Sequence, residues 1–255
     1  MLVEVKIISC LFIGIIGLVL GSFFNVCILR IPKGESIVYP PSHCSCGHIL
    51  KWYELIPVLS WIGLKGRCRK CKEKISFQYP LIEIITAVIF IVIFLFFGFS
   101  INTIKFLVLF SILLIDSAID IKTQDVYFSI SIVAFIFGVI FNIIGILQGG
   151  SLSQSIISVA IAIVLMGVIY LSSKKVEGFG LGDVEIIVFI SLYVAPSNLV
   201  VIIFLAIVLG GVYSIGLLLK GERGRRIAFV PFIAVGALIG VTFGTQLLNM
   251  YMKLL

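Results

Sequence analysis

Long apolar runs alternate with short polar connections along the whole chain. All but one are close to the roughly 17–25 residues that a helix needs to cross a bilayer. Lipid offers backbone amides and carbonyls no partner, so such runs predict helices. We therefore expect an all-α polytopic membrane protein with about eight transmembrane helices. The predicted spans are 7–29, 81–99, 103–119, 127–147, 154–172, 184–196, 199–219 and 228–250.

Two details of this pattern concern the ends of spans. The first run is too long for the apolar part of a signal peptide and has no small-residue cleavage site, so we expect a retained helix. The sixth run is short, and Pro196, Ser197 and Asn198 predict a tight turn into the seventh. Composition supports a membrane protein, because 61% of the residues are apolar and 12% are charged, against about a quarter charged in soluble domains.

The basic residues are distributed unevenly between alternate connections. Connections 30–80, 120–126, 173–183 and 220–227 carry 16 of the 19 Lys and Arg residues. The positive-inside rule places these connections in the cytoplasm and both termini on the extracytoplasmic side. The membrane we expect is the cytoplasmic (inner) membrane. The net charge is +7, and nine Lys and Arg residues lie in connection 30–80. We interpret this basic loop as topological signal and attraction to anionic membrane lipids, with docking of a substrate carboxylate as the alternative. We expect no nucleic-acid partner.

The connection 30–80 is the one sizeable polar region, and it divides the chain into three predicted parts. Residues 1–29 form the first transmembrane helix, 30–80 a basic cytoplasmic loop, and 81–255 a seven-helix membrane core. The loop is rich in proline and has room for one short helix. Its segment 52–66 is amphipathic and carries aromatic residues, so we expect it to lie at the membrane interface.

Four of the six cysteines lie in this loop. A reducing cytoplasm disfavours disulfides and favours a metal site. Four thiolates suit structural zinc and leave no open position for catalysis, although His43 or His48 could replace one ligand and a metal-free loop is the alternative. The pairs are Cys44-Ser45-Cys46 and Cys68-Arg69-Lys70-Cys71.

Five acids lie in or at the edge of predicted spans, where charged side chains are costly and usually functional. The topology brings Asp120, at the end of the third span, and Asp183, at the start of the sixth, to the cytoplasmic side. Two carboxylates about 3 Å apart share one proton and can activate water for attack on a peptide carbonyl. The five acids are Glu83, Asp116, Asp120, Asp183 and Glu185.

Three glycines precede Asp183 in the stretch "GFGLGD". Gly178, Gly180 and Gly182 lack a Cβ, so the backbone here can approach a neighbouring helix or an extended substrate closely. The alternative is a flexible linker followed by an Asp that caps a helix.

These motifs resemble those of a known family. "GFGLGD" resembles the GxGD signature of intramembrane aspartyl proteases. "GSFFNVCILRIP", "CGHILKWYELIPVLSWIGLKGRCRKCKEKISFQYPLIE" and "SAIDIKTQDV" resemble successive segments of type IV prepilin peptidases, from about residue 21 to 190. The resemblance implies a membrane aspartic endopeptidase that cleaves the leader of type IV prepilins or pseudopilins at the cytoplasmic face. In many members N-methylation by S-adenosylmethionine follows.

The resemblance also implies roles for individual residues. Asp120 and Asp183 are expected to be catalytic, and Asp116 is the rival of Asp120, one turn earlier on the same face. Supporting roles are expected for Gly178, Gly180, Gly182, Glu83 and Asp116, with Glu83 structural or facing the substrate, and zinc is expected on Cys44, Cys46, Cys68 and Cys71.

Two other functions were weighed against a peptidase. A proton-coupled transporter would use the buried acids as a relay, but transporters place such groups near mid-bilayer in repeated halves, and here the acids cluster at one edge. A zinc-binding membrane scaffold without chemistry would need the cysteines and not the aspartates.

Overall fold

A computed structural model describes residues 2–173, 180–221 and 226–253. Within these ranges the chain forms nine α-helices, and the remaining ordered backbone includes two isolated antiparallel bridges. The helices are α1 (Leu2–Arg30), α2 (Leu59–Gly63), α3 (Gln78–Phe97), α4 (Ile101–Thr123), α5 (Phe128–Leu147), α6 (Leu152–Ser173), α7 (Leu181–Ser191), α8 (Pro196–Leu219) and α9 (Val230–Met252).

Six of the described helices are long and apolar enough to cross a membrane, namely α1, α3, α5, α6, α8 and α9. This confirms the predicted all-α polytopic class and the short helix in the loop, which is α2. The predicted number of eight spans is not confirmed, because α4 and α7 are not among the six. The 11 residues of α7 extend about 17 Å, well short of a hydrocarbon core of about 30 Å.

The predicted turn at Pro196, Ser197 and Asn198 is wrong. These residues form the first turn of α8, where proline is favourable because its missing N–H is not needed there. The chain instead turns just before, at 192–195. Side chains of neighbouring helices bind this turn: Asn142 Nδ2 donates to the Leu192 carbonyl at 2.6 Å and Ser158 Oγ to that of Val194 at 3.0 Å.

The chain divides into two compact units, 1–107 and 108–255. In the first unit α1 packs along α3 through small residues. A Cβ at Gly17 would lie 2.7 Å from the Ala87 Cα, and one at Gly21 equally close to the Glu83 Cα. Small residues allow two membrane helices to approach to backbone contact, which is how such helices gain packing energy in lipid.

In the second unit α8 and α9 pack in the same way. Gly236 faces the backbone of Ile202, where a Cβ would lie 3.0 Å from the carbonyl oxygen, and Gly240 contacts the side chain of Ile202. Helix α7 contacts α5, α6, α8 and α9, and Ile186, Phe189 and Ile190 are buried. A short helix surrounded by longer ones presents its N-terminal turn at a fixed place in the unit.

Candidate active site and candidate metal centre

Asp120 lies in the last turn of α4 and its side chain is 6% exposed. Its Oδ2 accepts a hydrogen bond of 2.9 Å from the Val230 amide at the start of α9, and the Phe229 amide donates to it as well. Phe229 is the N-cap residue of α9, and its side chain makes no hydrogen bond to these amides. The first amides of a helix need acceptors, so a carboxylate from α4 supplies one for α9.

Asp183 is the third residue of α7. Its Oδ2 accepts a hydrogen bond of 3.0 Å from the Gly180 amide, which is the bond that an acid at this position makes to the N-cap residue. The N-cap residue is therefore Gly180 and not Asp183. Gly182, the residue before Asp183, lies against Val126, six residues after Asp120, so the end of α4 and the start of α7 lie in one region of the second unit.

The glycines before Asp183 differ in what surrounds them. A Cβ at Gly182 would lie 2.5 Å from Val126 Cγ2, whereas one at Gly180 would meet nothing closer than 3.7 Å. A side chain therefore does not fit at position 182 without movement of Val126, and it does fit at 180. Gly178 lies outside the described residues.

Asp116 lies one turn before Asp120 on α4 and is 1% exposed. Neither of its carboxylate oxygens has a hydrogen-bond partner among the described residues. The second unit thus holds a second buried acid, one helical turn from the acid that the α9 amides bind. Buried polar atoms without partners are uncommon enough to require an explanation.

Glu83 lies in the first unit, on α3, and is also buried. Its Oε2 accepts a hydrogen bond of 2.7 Å from the Val58 amide. Val58 has φ 61° and ψ −51°, and the Leu59 amide donates to the Pro57 carbonyl across it at 2.6 Å. This is the strained γ-turn with positive φ, unfavourable for a β-branched residue. Glu83 therefore binds a strained turn of the loop just before α2.

The four loop cysteines form a cluster in which all four Sγ atoms lie within 4.8 Å of one another. Cys44 Sγ and Cys71 Sγ are 3.6 Å apart, close to the roughly 3.8 Å edge of a tetrahedron with Zn–S bonds of about 2.3 Å. Each pair sits on a tight turn, since the Cys44 amide donates to the His48 carbonyl and the Cys68 amide to that of Glu73. The four thiols fit a tetrahedral metal ion.

The two histidines beside this cluster have other partners. His43 Nδ1 lies 2.9 Å from the Pro41 carbonyl, and His48 Nε2 lies 3.1 Å from a Glu54 oxygen. Hydrogen bonds from the Cys46 amide and the Ser45 hydroxyl lower the pKa of the Cys44 thiol to about 6. The thiolate is the form that binds a metal, so these two hydrogen bonds favour the metal-binding form of Cys44.

Sequence analysis named Gly180, whose amide binds Asp183, but it did not identify the groups that bind Asp120 or pack against Gly182. Val230 and Phe229 contribute backbone amides to Asp120, and Val126 contributes an apolar side chain that lies against Gly182, so none carries a recognisable polar signal. Gln124 Nε2 also donates to the Arg226 carbonyl at 2.9 Å, which ties the end of α4 to the chain entering α9. The sequence signal for this contact is Pro231, in the first turn of α9. Proline is typical of the first turn of a helix, so it indicates where the amides of α9 begin.

Two family models match successive parts of this chain. Residues 15–97 match the family model "Bacterial Peptidase A24 N-terminal domain", and residues 107–215 match "Type IV leader peptidase family". No solved structure matches.

Several curated proteins named "Prepilin leader peptidase/N-methyltransferase" are similar to this chain. The Bacillus subtilis protein is 31% identical over 243 residues, which cover 94% of this chain and 96% of that protein. The Neisseria gonorrhoeae protein is 30% identical over 89% of this chain and 87% of its own length. The Myxococcus xanthus protein is 32% identical over 84% of this chain, and the alignment spans 65% of that longer protein.

Proposed function

Because this chain belongs to the type IV leader peptidase family, we propose that it is a membrane aspartic endopeptidase that removes the leader peptide of type IV prepilins or pseudopilins. Asp120 and Asp183 are its catalytic pair. The observation that carries the proposal is that these acids are 63 positions apart in the sequence, while Gly182, next to Asp183, lies against Val126, six residues after Asp120.

The chemistry needs one ionised and one protonated carboxylate. The ionised one takes a proton from water as it attacks the scissile carbonyl, and the protonated one donates to the leaving amine. Two nearby carboxylates favour this mixed state because a second negative charge next to the first is unfavourable. The Val230 amide orients Asp120 and the Gly180 amide orients Asp183.

The substrate and the cellular location extend this proposal. A prepilin presents an apolar helix within the membrane and a short leader in the cytoplasm, so its cleavage site lies at the cytoplasmic face. The distribution of Lys and Arg supports a cytoplasmic position for the loop, an extracytoplasmic position for both termini, and residence in the inner membrane. Anionic lipids are the partners that the basic loop would meet there.

Zinc on the four cysteines is the second part of the proposal. The Sγ cluster has the size and the ligands of a closed structural site. The loop has no large apolar core of its own, so a metal ion would fix the two turns that carry Cys44 and Cys68. The three predicted parts of the chain, 1–29, 30–80 and 81–255, remain our proposed domain division.

N-methylation with S-adenosylmethionine is named for the relatives, and we propose it here as the activity that follows cleavage. A cavity of about 220 Å³ in the loop is lined by Tyr53, Glu54, Ser60, Gly63, Leu64 and Arg69. This is smaller than the roughly 300–1,000 Å³ of small-molecule sites, so this cavity by itself does not fit the donor.

The test is co-expression with a type IV prepilin, followed by mass spectrometry of the pilin amino terminus. Asp120→Asn and Asp183→Asn each abolish cleavage while the protein still accumulates in membranes, and Asp116→Asn retains it. Cleavage by either of the first two variants would exclude the dyad. A variant without the four loop cysteines tests the two other candidate functions. A zinc-binding scaffold would need the cysteines and not the aspartates. A transporter would need neither the cysteines nor the aspartates for pilin processing.

A further inference from the structure

We infer that Gly210 is a positioning residue for the reaction: it leaves room for the ring of Phe229, and the backbone of Phe229 and Val230 in turn orients Asp120. The inference rests on the proposed role of Asp120. All of its contacts lie within the unit 108–255.

The contact between Gly210 and Phe229 leaves no space for a side chain at Gly210. A Cβ there would lie 2.6 Å from Cε2 and 3.1 Å from Cδ2 of the Phe229 ring. Gly210 is buried, while its neighbour Gly211 is exposed and a Cβ at 211 would meet nothing within 4 Å. The requirement for glycine is therefore specific to position 210.

The Phe229 ring also has an aromatic neighbour. Its centroid lies 6.1 Å from that of Phe232, and the Phe232 centroid lies 5.3 Å from that of Tyr213 on α8. A ring that is displaced from Gly210 must disturb this group or move its own backbone. Packed aromatic groups resist such movement because the interior is close-packed.

The backbone that would move is the one that holds Asp120. Phe229 is the N-cap residue of α9, and the amides of Phe229 and Val230 both donate to the Asp120 carboxylate. A shift of about 1 Å in a catalytic group can lower the rate about 100-fold. The size of the residue at 210 thus acts on the reaction through Phe229 without touching the reacting atoms.

The experiment measures kcat and KM for prepilin cleavage in Gly210→Ala and in the matched control Gly211→Ala. We expect kcat to fall about 10- to 100-fold in Gly210→Ala with KM changed less than about twofold, and the control to behave as the wild type. Adding Phe229→Leu to Gly210→Ala shortens the ring side chain and should restore most of kcat. Wild-type kcat in Gly210→Ala, or an equal loss in Gly211→Ala, would overturn the inference.

Two further measurements keep the inference testable if Gly210→Ala does not accumulate or if Asp120 is not catalytic. Replacement of Val230 by its α-hydroxy acid exchanges the N–H that donates to Asp120 for an ester oxygen and keeps the side chain, and kcat should fall as in Gly210→Ala. Hydrogen exchange over 226–232 should be faster in Gly210→Ala than in Gly211→Ala, whether or not the protein cleaves. Equal exchange rates would refute the contact chain itself, whereas cleavage by Asp120→Asn would refute the proposed function.

Discussion

Gly182, in the first turn of α7, touches Val126, which lies just before α5. A Cβ atom at Gly182 would approach Val126 Cγ2 to 2.5 Å, closer than such atoms pack. The residue before Asp183 is therefore fixed against a different part of the chain, and the position of the acid depends on this contact.

This contact predicts different results for two alanine substitutions. Gly182→Ala must displace α7 or Val126, and we expect prepilin cleavage to fall at least tenfold, because overpacking costs about 1–3 kcal/mol and moves Asp183. Gly180→Ala has space and should retain most activity. Val126→Ala combined with Gly182→Ala should recover cleavage. Equal activity of the two single variants would contradict the contact.

The cysteine cluster predicts a stoichiometric metal site. Purified protein should contain about one zinc ion per chain, and Cys68→Ser should lose it, because Cys68 is the most buried of the four ligands. Cys10→Ser, a change in α1, is the matched control. The measurements are metal content by mass spectrometry and protease sensitivity of the loop. Full zinc content in Cys68→Ser would refute the site.

Glu54 predicts a pH dependence of the loop. The Lys51 amide, and then His48, hold the pKa of Glu54 below its usual value. Because the pKa of Glu54 is lower in the folded loop than in the unfolded chain, the ionised carboxylate stabilises the folded loop at pH values above the unfolded pKa of about 4.3. This stabilisation is lost as the pH falls through the folded pKa. Both tryptophans of the chain, Trp52 and Trp61, lie in the loop, so their fluorescence reports its unfolding.

In this measurement the loop of the wild type should lose stability below about pH 4. Glu54→Gln should be less stable at pH 7, by about 1.5–3 kcal/mol for a hydrogen bond to a charged group, and should lack that acid-dependent loss. An identical pH dependence in the wild type and the variant would show that Glu54 is not the group responsible.

Glu83 predicts a separation between amide and alanine variants. Glu83→Gln keeps an oxygen that can accept the Val58 amide, so cleavage and Trp61 fluorescence should stay close to wild type. Glu83→Ala leaves that amide without its acceptor, which costs about 1–3 kcal/mol when it is buried, and should loosen the turn before α2. If Glu83→Gln lost cleavage but kept the native fluorescence, a role facing the substrate would replace the structural one.

Much of the site could be predicted from the order of residues. Asp120 ends one apolar run and Asp183 begins another, both on the predicted cytoplasmic side of the membrane. Acids in such places are rare, which makes these two the candidate catalytic residues. The cysteine pairs were identified by spacing, and the structure gathers all four Sγ atoms. The helical nature of the chain followed from apolar runs, because lipid leaves the backbone few alternatives.

An error lies where a local signal was ambiguous: the turn assigned to Pro196 is a helix start, because proline suits both. The span predicted at 184–196 is not confirmed, because this run has the composition of a span but forms an 11-residue helix buried among its neighbours. A helix that packs against other helices and a helix that faces lipid can have the same apolar composition, so hydropathy does not distinguish them.

The sequence by itself determined the class of the protein and its chemical groups, since hydropathy, charge distribution and motifs are properties of composition and order. Tertiary structure alone decided which groups meet: the Val230 amide with Asp120, Val126 with Gly182, Phe229 with Gly210. These contacts join residues 19 to 110 positions apart through backbone donors and close packing. A backbone donor leaves no mark on the residue type, and a glycine indicates a close approach without indicating which residue approaches, because both contacts depend on the distance between two helices.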